Sequence, residues 1–171
     1  MLESISLELP VDHHSFFLIE EGQNPILGSE RAVAEAGLAR SAPQRANFIT
    51  ACNDGRVDLV VELSSTEPDA RAADYEDIIE LPFDSRDGIV AVHTHNVNGY
   101  LKILPPLPEG PGSYRLRYHA RNMDEADQHG YGGKGVDGYL LQIWPAPWAD
   151  PQVLQARSLY AKGFTGKVSS R

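Results

Sequence analysis

Hydrophobic and polar residues alternate with a period of two along much of the chain. Alternation of this kind is typical of β-strands that bury one face and expose the other. The alternating segments are 5–9, 57–63, 75–83 and 114–120. Pro10 ends the first of them, because proline has no N–H to donate to a neighbouring strand. Tyr139–Trp144 is apolar on both faces, which is typical of a central strand that is covered on both sides.

Turn signals separate these strands. Asn53, Asp54 and Gly55 lie between Ala46–Cys52 and Arg56–Leu63, and an Asp-Gly pair between two alternating segments predicts a hairpin. Short strands with frequent turns predict an all-β, mainly antiparallel fold. We expect a two-sheet β-sandwich, of which a jelly roll is one form, built as a single domain over residues 1–171.

Two segments favour helices, so we expect one or two short helices beside the strands. Ser29–Ala39 is rich in alanine and glutamate, which have high helix propensity. Asp150 followed by Pro151 is typical of the start of a helix, and Gly163 would end that helix. The remaining tail, 165–171, is expected to be loose.

The charge balance restricts the classes of partner. The 171 residues include 24 Asp and Glu against 15 Lys and Arg, for a net charge of −9. This charge argues against direct nucleic-acid binding, which needs cations, and permits a basic protein partner. No apolar run approaches the roughly 20 residues that cross a bilayer. The acidic start of the chain lacks the pattern of a signal peptide, so we expect a cytoplasmic protein without membrane contact.

The cysteine content excludes two kinds of stabilising site. Cys52 is the single cysteine, so no intramolecular disulfide and no four-cysteine zinc site can form. It lies in an apolar segment beside a turn, which predicts a buried structural thiol rather than a nucleophile. No motif of a nucleotide-binding loop or of a serine hydrolase occurs, so we assign no catalytic residue and no organic cofactor.

His93 and His95 form the sharpest candidate for metal chemistry. Residues two apart on a strand share a face, so both imidazoles could bind one divalent metal ion, as in β-barrels of the cupin type. His119 could supply a third ligand, although no glutamate follows the pair as it does in cupins. If Val90 and Val92 face the core instead, both histidines face solvent and need bind nothing.

A basic stripe follows one face of the predicted strand 114–120. Its members are Arg115, Arg117, His119 and Arg121. On a chain of charge −9, such residues usually pair with carboxylates of neighbouring strands, for which Asp58 and Glu62 are candidates. The alternative is a face that binds an anionic ligand.

The segment Asp124–Gly138 is polar and rich in glycine. We expect a mobile surface loop, because glycine loses the most freedom on ordering and few apolar side chains are present to offset that cost. Loops that join rigid strands often carry contact surfaces. The predicted partner-binding residues are Asp124, Glu125, Asp127 and Tyr131.

Two blocks of the sequence carry a resemblance. Tyr114–Asp124 and Gly138–Pro147 resemble a group of uncharacterised actinobacterial β proteins, and 57–63 and 75–83 are similar to earlier blocks of that group. The closer likeness covers roughly the C-terminal two thirds of the chain. The group in turn distantly resembles the competence protein J family, which includes the DNA-entry nuclease inhibitor. This resemblance implies a non-enzymatic β protein that binds and inhibits a nuclease, and it transfers no binding residue to this chain.

Three functional hypotheses follow. The first is a cytoplasmic protein-binding module, a nuclease inhibitor or immunity-type protein whose partner is a basic protein such as a nuclease. The second is a cupin-like metal-binding protein or enzyme that uses His93 and His95. The third is a structural or assembly domain, in which an exposed edge strand pairs with a second copy.

Overall fold

The computed structural model describes residues 2–25, 34–95, 101–128, 133–164 and 168–170. Two sheets form a β-sandwich with two short helices, which confirms the predicted all-β class. The elements are β1 Leu2–Val11, β2 Ser15–Glu20, β3 Ala34–Ala36, β4 Ala39–Ala42, β5 Arg45–Ile49, β6 Gly55–Ser64, β7 Asp77–Ser85, β8 Val90–Thr94, β9 Leu101–Ile103, β10 Gly112–Arg121, α1 Met123–Gln128, β11 Lys134–Pro145, β12 Gln152–Ala156, α2 Leu159–Lys162 and β13 Val168–Ser170.

The strand order defines the two sheets. The first sheet runs β1-β6-β11-β10-β7-β12, and its strands are antiparallel except for the parallel pair β6 and β11. The second sheet runs β13-β3-β4-β5-β2-β8-β9 and is antiparallel throughout. The mainly antiparallel arrangement is therefore confirmed.

Aromatic rings join the two sheets in the core. Phe16 and Phe48 of the second sheet stack with their centroids 4.9 Å apart. The Phe48 ring lies 4.9 Å from that of Tyr118 in the first sheet, which in turn stacks on Tyr139 at 5.5 Å. All four side chains are buried. Ring pairs at these distances add stabilisation beyond the area that they bury.

The predicted hairpin across Asp54 and Gly55 is wrong. β5 belongs to the second sheet and β6 to the first, so this turn carries the chain from one sheet to the other. Gly55 is needed for a different reason: a Cβ there would collide with the carbonyl oxygen of Gly133. Alternation and a turn signal fix which face of a strand is buried but not which strand lies beside it.

The predicted helix at Ser29–Ala39 is also wrong for its described part. β3 and β4 form a hairpin there, with Gly37 at φ +57° in the turn. Ala34, Ala36 and Ala39 are buried in the core, so tertiary packing of small side chains overrides their helix propensity. Residues 29–33 lie outside the described residues.

The segment that begins at Asp150 forms a strand before it forms a helix. β12 pairs with β7 at the edge of the first sheet, and only the last part becomes α2. Ser158 caps α2 and Gly163 ends it, so the predicted end is confirmed and the predicted start is wrong. The buried carboxylate of Asp77 accepts hydrogen bonds from the backbone N–H groups of Arg157 and Ser158, which holds the chain extended before the helix.

Two further expectations need correction. The expected mobile loop Asp124–Gly138 has regular structure at both ends, because α1 occupies 123–128 and β11 begins at Lys134, while 129–132 lie outside the described residues. Met123 and Ala126, one helical turn apart, bury their side chains in the core and hold α1 in place. The expected loose tail contains β13, which pairs with β3, while 165–167 lie outside the described residues.

Among the helices that the structure describes, none is long and apolar enough to cross a membrane.

Candidate functional site

The three candidate metal ligands lie on opposite faces of the sandwich. Val90 and Val92 face the core, so His93 and His95 face outward from the second sheet. Their rings flank Phe17, with centroid distances of 6.4 Å and 4.5 Å. His119 lies on β10, on the outer face of the first sheet. Within the described ranges no group of three His, Cys, Asp or Glu could hold a metal ion, and metal binding by His93 and His95 stays a prediction.

His119 has a structural environment instead. Its Nε2 accepts a hydrogen bond from the Arg71 backbone N–H at 3.3 Å, and its Nδ1 lies 3.2 Å from the carbonyl oxygen of Leu140. These two partners fit a neutral ring that donates from Nδ1. Burial lowers the pKa of His119 to about 4, so the ring is neutral at physiological pH.

Arg115 and Arg117 of the basic stripe are paired with carboxylates, but not with the predicted ones. Glu80 of β7 accepts from Nε of Arg115 at 3.0 Å and from Nε of Arg117 at 2.8 Å. The predicted partner Glu62 pairs with Arg71 at 2.8 Å, and Asp58 pairs with Lys134 at 2.8 Å. The reason is lateral order: β10 lies between β7 and β11, and β6 is one strand further away.

Arg115, Arg117 and Glu80, which we call the arginine clamp, hold two loop segments onto the first sheet. Arg115 donates to the carbonyl oxygens of Ala149 and Asp150, both at 2.7 Å. Arg117 donates to the carbonyl oxygen of Pro68 and to Glu67, both at 2.6 Å, and its guanidinium lies 4.7 Å from the Trp144 ring centroid. Every guanidinium nitrogen of the clamp donates within the protein, so its chemistry serves the fold.

The predicted partner-binding carboxylates separate into two roles. Asp124 accepts hydrogen bonds from the backbone N–H groups of Leu159 and Tyr160, at 3.0 Å and 2.8 Å, and thereby ties α1 to α2. Glu125 and Asp127 are exposed on the surface of α1. Tyr131 lies outside the described residues.

These carboxylates belong to one end of the sandwich, which we call the helical end. It consists of the turn 12–15, the segment 50–55, α1, the segment 133–137 and α2. Hydrogen bonds connect the parts: the His14 carbonyl accepts from the Thr50 N–H at 2.8 Å, and the Arg56 N–H donates to Gly133 at 3.0 Å. The His14 ring lies 3.1 Å from the Thr50 carbonyl oxygen and 3.5 Å from the Tyr160 hydroxyl.

The turn 12–15 is strained. His13 and His14 adopt φ values of +55° and +57°, and Asp12 and Ser15 form a bridge across them. Two consecutive residues of this conformation normally call for Asn-Gly, because a Cβ makes it costly by about 1–2 kcal/mol per residue. Strained residues of this kind cluster at functional sites. The sequence contains no signal for this turn, because Asp-His-His-Ser has neither glycine nor asparagine at its centre.

A buried carboxylate supports the base of the helical end. Asp137 accepts from the Cys52 backbone N–H at 3.0 Å and hydrogen-bonds the hydroxyl of Tyr139, which accepts from the Ala51 N–H at 2.8 Å. Burial, and then the charge of Asp137, raise the pKa of the Cys52 thiol to about 11. The thiol is half-buried rather than buried as predicted, and it is protonated at neutral pH and a poor nucleophile.

A cleft opens between the outer face of the second sheet and α2. Its volume is about 400 Å³. The rings of Tyr160 and Phe164 form one wall, 5.6 Å apart, and His13, His14 and Ile49 also line the cleft, with the His14 ring 3.5 Å from the Tyr160 hydroxyl. The floor carries polar residues from neighbouring strands, namely Glu35, Arg40 and Asn47.

Comparison with known proteins finds solved structures with a similar fold. No family model matches the chain, and no curated protein matches it in sequence. Among solved structures, the chain is similar to ComJ from Bacillus subtilis, an inhibitor of the DNA-degrading activity of NucA. The TM-score is 0.58 at 18% identity, over 85% of this chain and 99% of that one. The product of crocagin biosynthetic gene J is similar with a TM-score of 0.55 at 12% identity, over 86% of this chain and 99% of that one.

At such identities the likeness concerns the fold. It confirms the distant resemblance to the competence protein J family that the sequence suggested. Nearly the whole of each related structure is matched, so the shared architecture is the complete sandwich rather than one sheet of it.

Proposed function

We propose that this chain is a non-enzymatic, cytoplasmic protein-binding module that inhibits a DNA-degrading nuclease. The observation that carries the proposal is the shared fold with ComJ, an inhibitor of such an activity, over 85% of this chain. The net charge of −9 supports the same conclusion. A nuclease must present cations to the phosphates of DNA, so an acidic protein can cover that surface and compete with the substrate.

The helical end is the part of the described surface best suited to this contact. Glu125 and Asp127 are exposed there, and Leu159 exposes 76% of its surface beside them. An apolar side chain with carboxylates around it fits a basic partner that has an apolar contact point, because apolar anchors and complementary charges are combined at protein interfaces.

The test is inhibition of the nuclease whose gene lies nearest to the gene for this chain. We expect the rate of plasmid degradation to fall to near zero at one equivalent of this protein, and the inhibition to weaken as salt screens the attraction. A mobility-shift experiment with this protein and DNA alone tests whether it inhibits by binding the DNA, and we expect no shift.

A matched pair of variants locates the contact. Glu125→Gln with Asp127→Asn neutralises two carboxylates at the helical end, and Glu3→Gln with Asp84→Asn neutralises two exposed ones on strands β1 and β7. We expect the first pair to weaken inhibition and the second to leave it nearly unchanged. Unchanged degradation at a tenfold excess of folded wild-type protein would refute the proposal.

A further inference from the structure

The cleft beside α2 is more than a gap between elements, because aromatic and polar groups converge on it. Its volume of about 400 Å³ lies in the range of sites that bind small groups. The Tyr160 and Phe164 rings supply an apolar wall. Both rings are only partly buried, so their faces are accessible from the cleft.

The charges around the cleft favour a cation. Glu35 and Arg40 are cross-strand neighbours on its floor and offset one another. Asp12 adjoins His13 at the rim, 3.1 Å from its ring. Burial, and then the charges of Asp127 and Asp137, raise the pKa of Tyr160 to about 12, which shows that carboxylate fields reach this ring while the phenol stays neutral. The charges of the lining itself cancel, and the carboxylates of Asp12 and Asp127 near its rim, opposed by Lys162 on α2, supply the attraction for a cation.

Hydrogen-bonding groups on the same side fit a cationic donor. The carbonyl oxygen of Thr50 lies 3.1 Å from the ring of His14 and 3.4 Å from the Tyr160 hydroxyl, so both side chains point to one acceptor at the edge of the cleft. If the His14 ring donates from Nδ1 to this carbonyl, its Nε2 is an acceptor. A positively charged group above the Tyr160 ring would gain a cation–π interaction as well.

We propose that this cleft receives a lysine or arginine side chain of the nuclease, which stacks on Tyr160 and Phe164. The inference rests on the proposed function and specifies where the partner docks. The strained turn 12–15 also lines the cleft through His13 and His14, and the His14 ring contacts the Tyr160 hydroxyl at 3.5 Å. Docking at this turn gives a role to a backbone conformation that the β1–β2 connection alone does not require, since Asn-Gly would make the same turn with less strain.

The test compares variants of Tyr160 in binding the same nuclease, with the dissociation constant measured by titration calorimetry. Tyr160→Leu keeps an apolar side chain but removes the aromatic face, and we expect the dissociation constant to rise at least tenfold. Tyr160→Phe keeps the face, and we expect binding within about twofold of wild type. The matched control is Tyr75→Leu, another half-buried tyrosine that contacts Arg121 and His119 on the first sheet, where we expect no change in binding.

The possible outcomes distinguish a wrong docking site from a wrong proposed function, on which the docking site rests. If wild type inhibits the nuclease and Tyr160→Leu binds equally well, the cleft is not the docking site and the proposed function stands. If wild type neither binds nor inhibits, the proposed function fails and the inference fails with it. If Tyr160→Leu does not fold, Phe164→Leu makes the same test from the second ring of the wall. Equal binding by Phe164→Leu and wild type would then overturn the inference.

Discussion

The outer face of the first sheet and the helical end use similar residues in opposite ways. On the first sheet, Arg115 and Arg117 are each only 4% exposed, and every nitrogen of their guanidinium groups donates within the protein. At the helical end, carboxylates and rings lie near the surface beside a strained turn. Polar groups that are buried and satisfied stabilise one conformation, whereas exposed or strained ones are available to a partner.

The difference shows why charge alone is a poor guide to a site. The basic stripe is the more conspicuous cluster in the sequence, yet its arginines Arg115 and Arg117 lie beneath two loop segments that they hold in place. The helical end has no comparable motif, because its residues come from five separate segments of the chain. Variants in both regions can therefore sharpen the comparison, beginning with the largest expected effect.

Removal of the clamp carboxylate should have the largest effect. Glu80→Ala leaves two buried guanidinium groups without their shared partner, and we expect a loss of about 3–5 kcal/mol in the free energy of unfolding. Urea unfolding measures it. Asp84→Ala on the same strand is the control, since Asp84 is exposed and should matter little. A loss for Glu80→Ala no larger than that of the control would show that the clamp does not stabilise the fold.

Acid should destabilise the first sheet through His119. Its pKa is about 4 in the folded protein against an ordinary value of 6.5, so the unfolded chain binds more protons between these two values. The contribution of His119 to the free energy of unfolding is fully present above pH 6.5. It is lost as the pH drops towards 4, by roughly 3 kcal/mol in total. His119→Gln, which can also donate and accept, should flatten this part of the pH profile of unfolding. An unchanged profile would contradict the assignment.

Asp77 connects the two regions, because it lies on β7 and fixes the chain before α2. Its carboxylate accepts from two backbone N–H groups and from the hydroxyl of Ser158 at 2.6 Å. Asp77→Asn weakens these bonds, and we expect a loss of about 1–2 kcal/mol. Thermal unfolding measures it, with the exposed Asp74→Asn as control. We also expect weaker nuclease binding, because α2 positions Tyr160. A variant that is destabilised but binds the nuclease fully would contradict this link between α2 and binding.

The strained turn should respond in the opposite direction. His13→Gly relieves a left-handed conformation at a side chain that is 77% exposed, and we expect a gain of roughly 0.5–1 kcal/mol in stability. His95→Ala is the control, because His95 contacts the same ring without a positive φ. If His13→Gly destabilises the protein more than His95→Ala does, the backbone at His13 is not strained.

The sequence predicts which face of a strand is buried better than it predicts which strands lie side by side. A period of two assigns Leu59 and Leu116 to the core correctly, and it assigns Arg115 and Arg117 to one shared face. It says nothing about strand order, so Glu80 could not be recognised as their partner. The order of strands across a sheet depends on the packing of the whole sandwich. The hydrophobic pattern within one strand does not encode it.

The candidate site was less predictable than the fold for the same reason. The sequence predicts that Asp124, Glu125 and Asp127 bind a partner. Glu125 and Asp127 are exposed, whereas Asp124 has a structural contact to α2. The positive φ values of His13 and His14 could not be predicted, because the turn Asp-His-His-Ser has no glycine or asparagine at its centre. The contact between His14 and Tyr160 joins residues 146 positions apart.

Hydrogen exchange of the complex tests the central claim most directly. The nuclease is added to the full chain, and backbone amide exchange is compared with that of the free protein. We expect added protection in 12–15 and 157–163 at the helical end, and no change in 65–76, the loop that covers the arginine clamp. Protection confined to 65–76, or the absence of any change in the presence of a saturating nuclease concentration, would contradict the account.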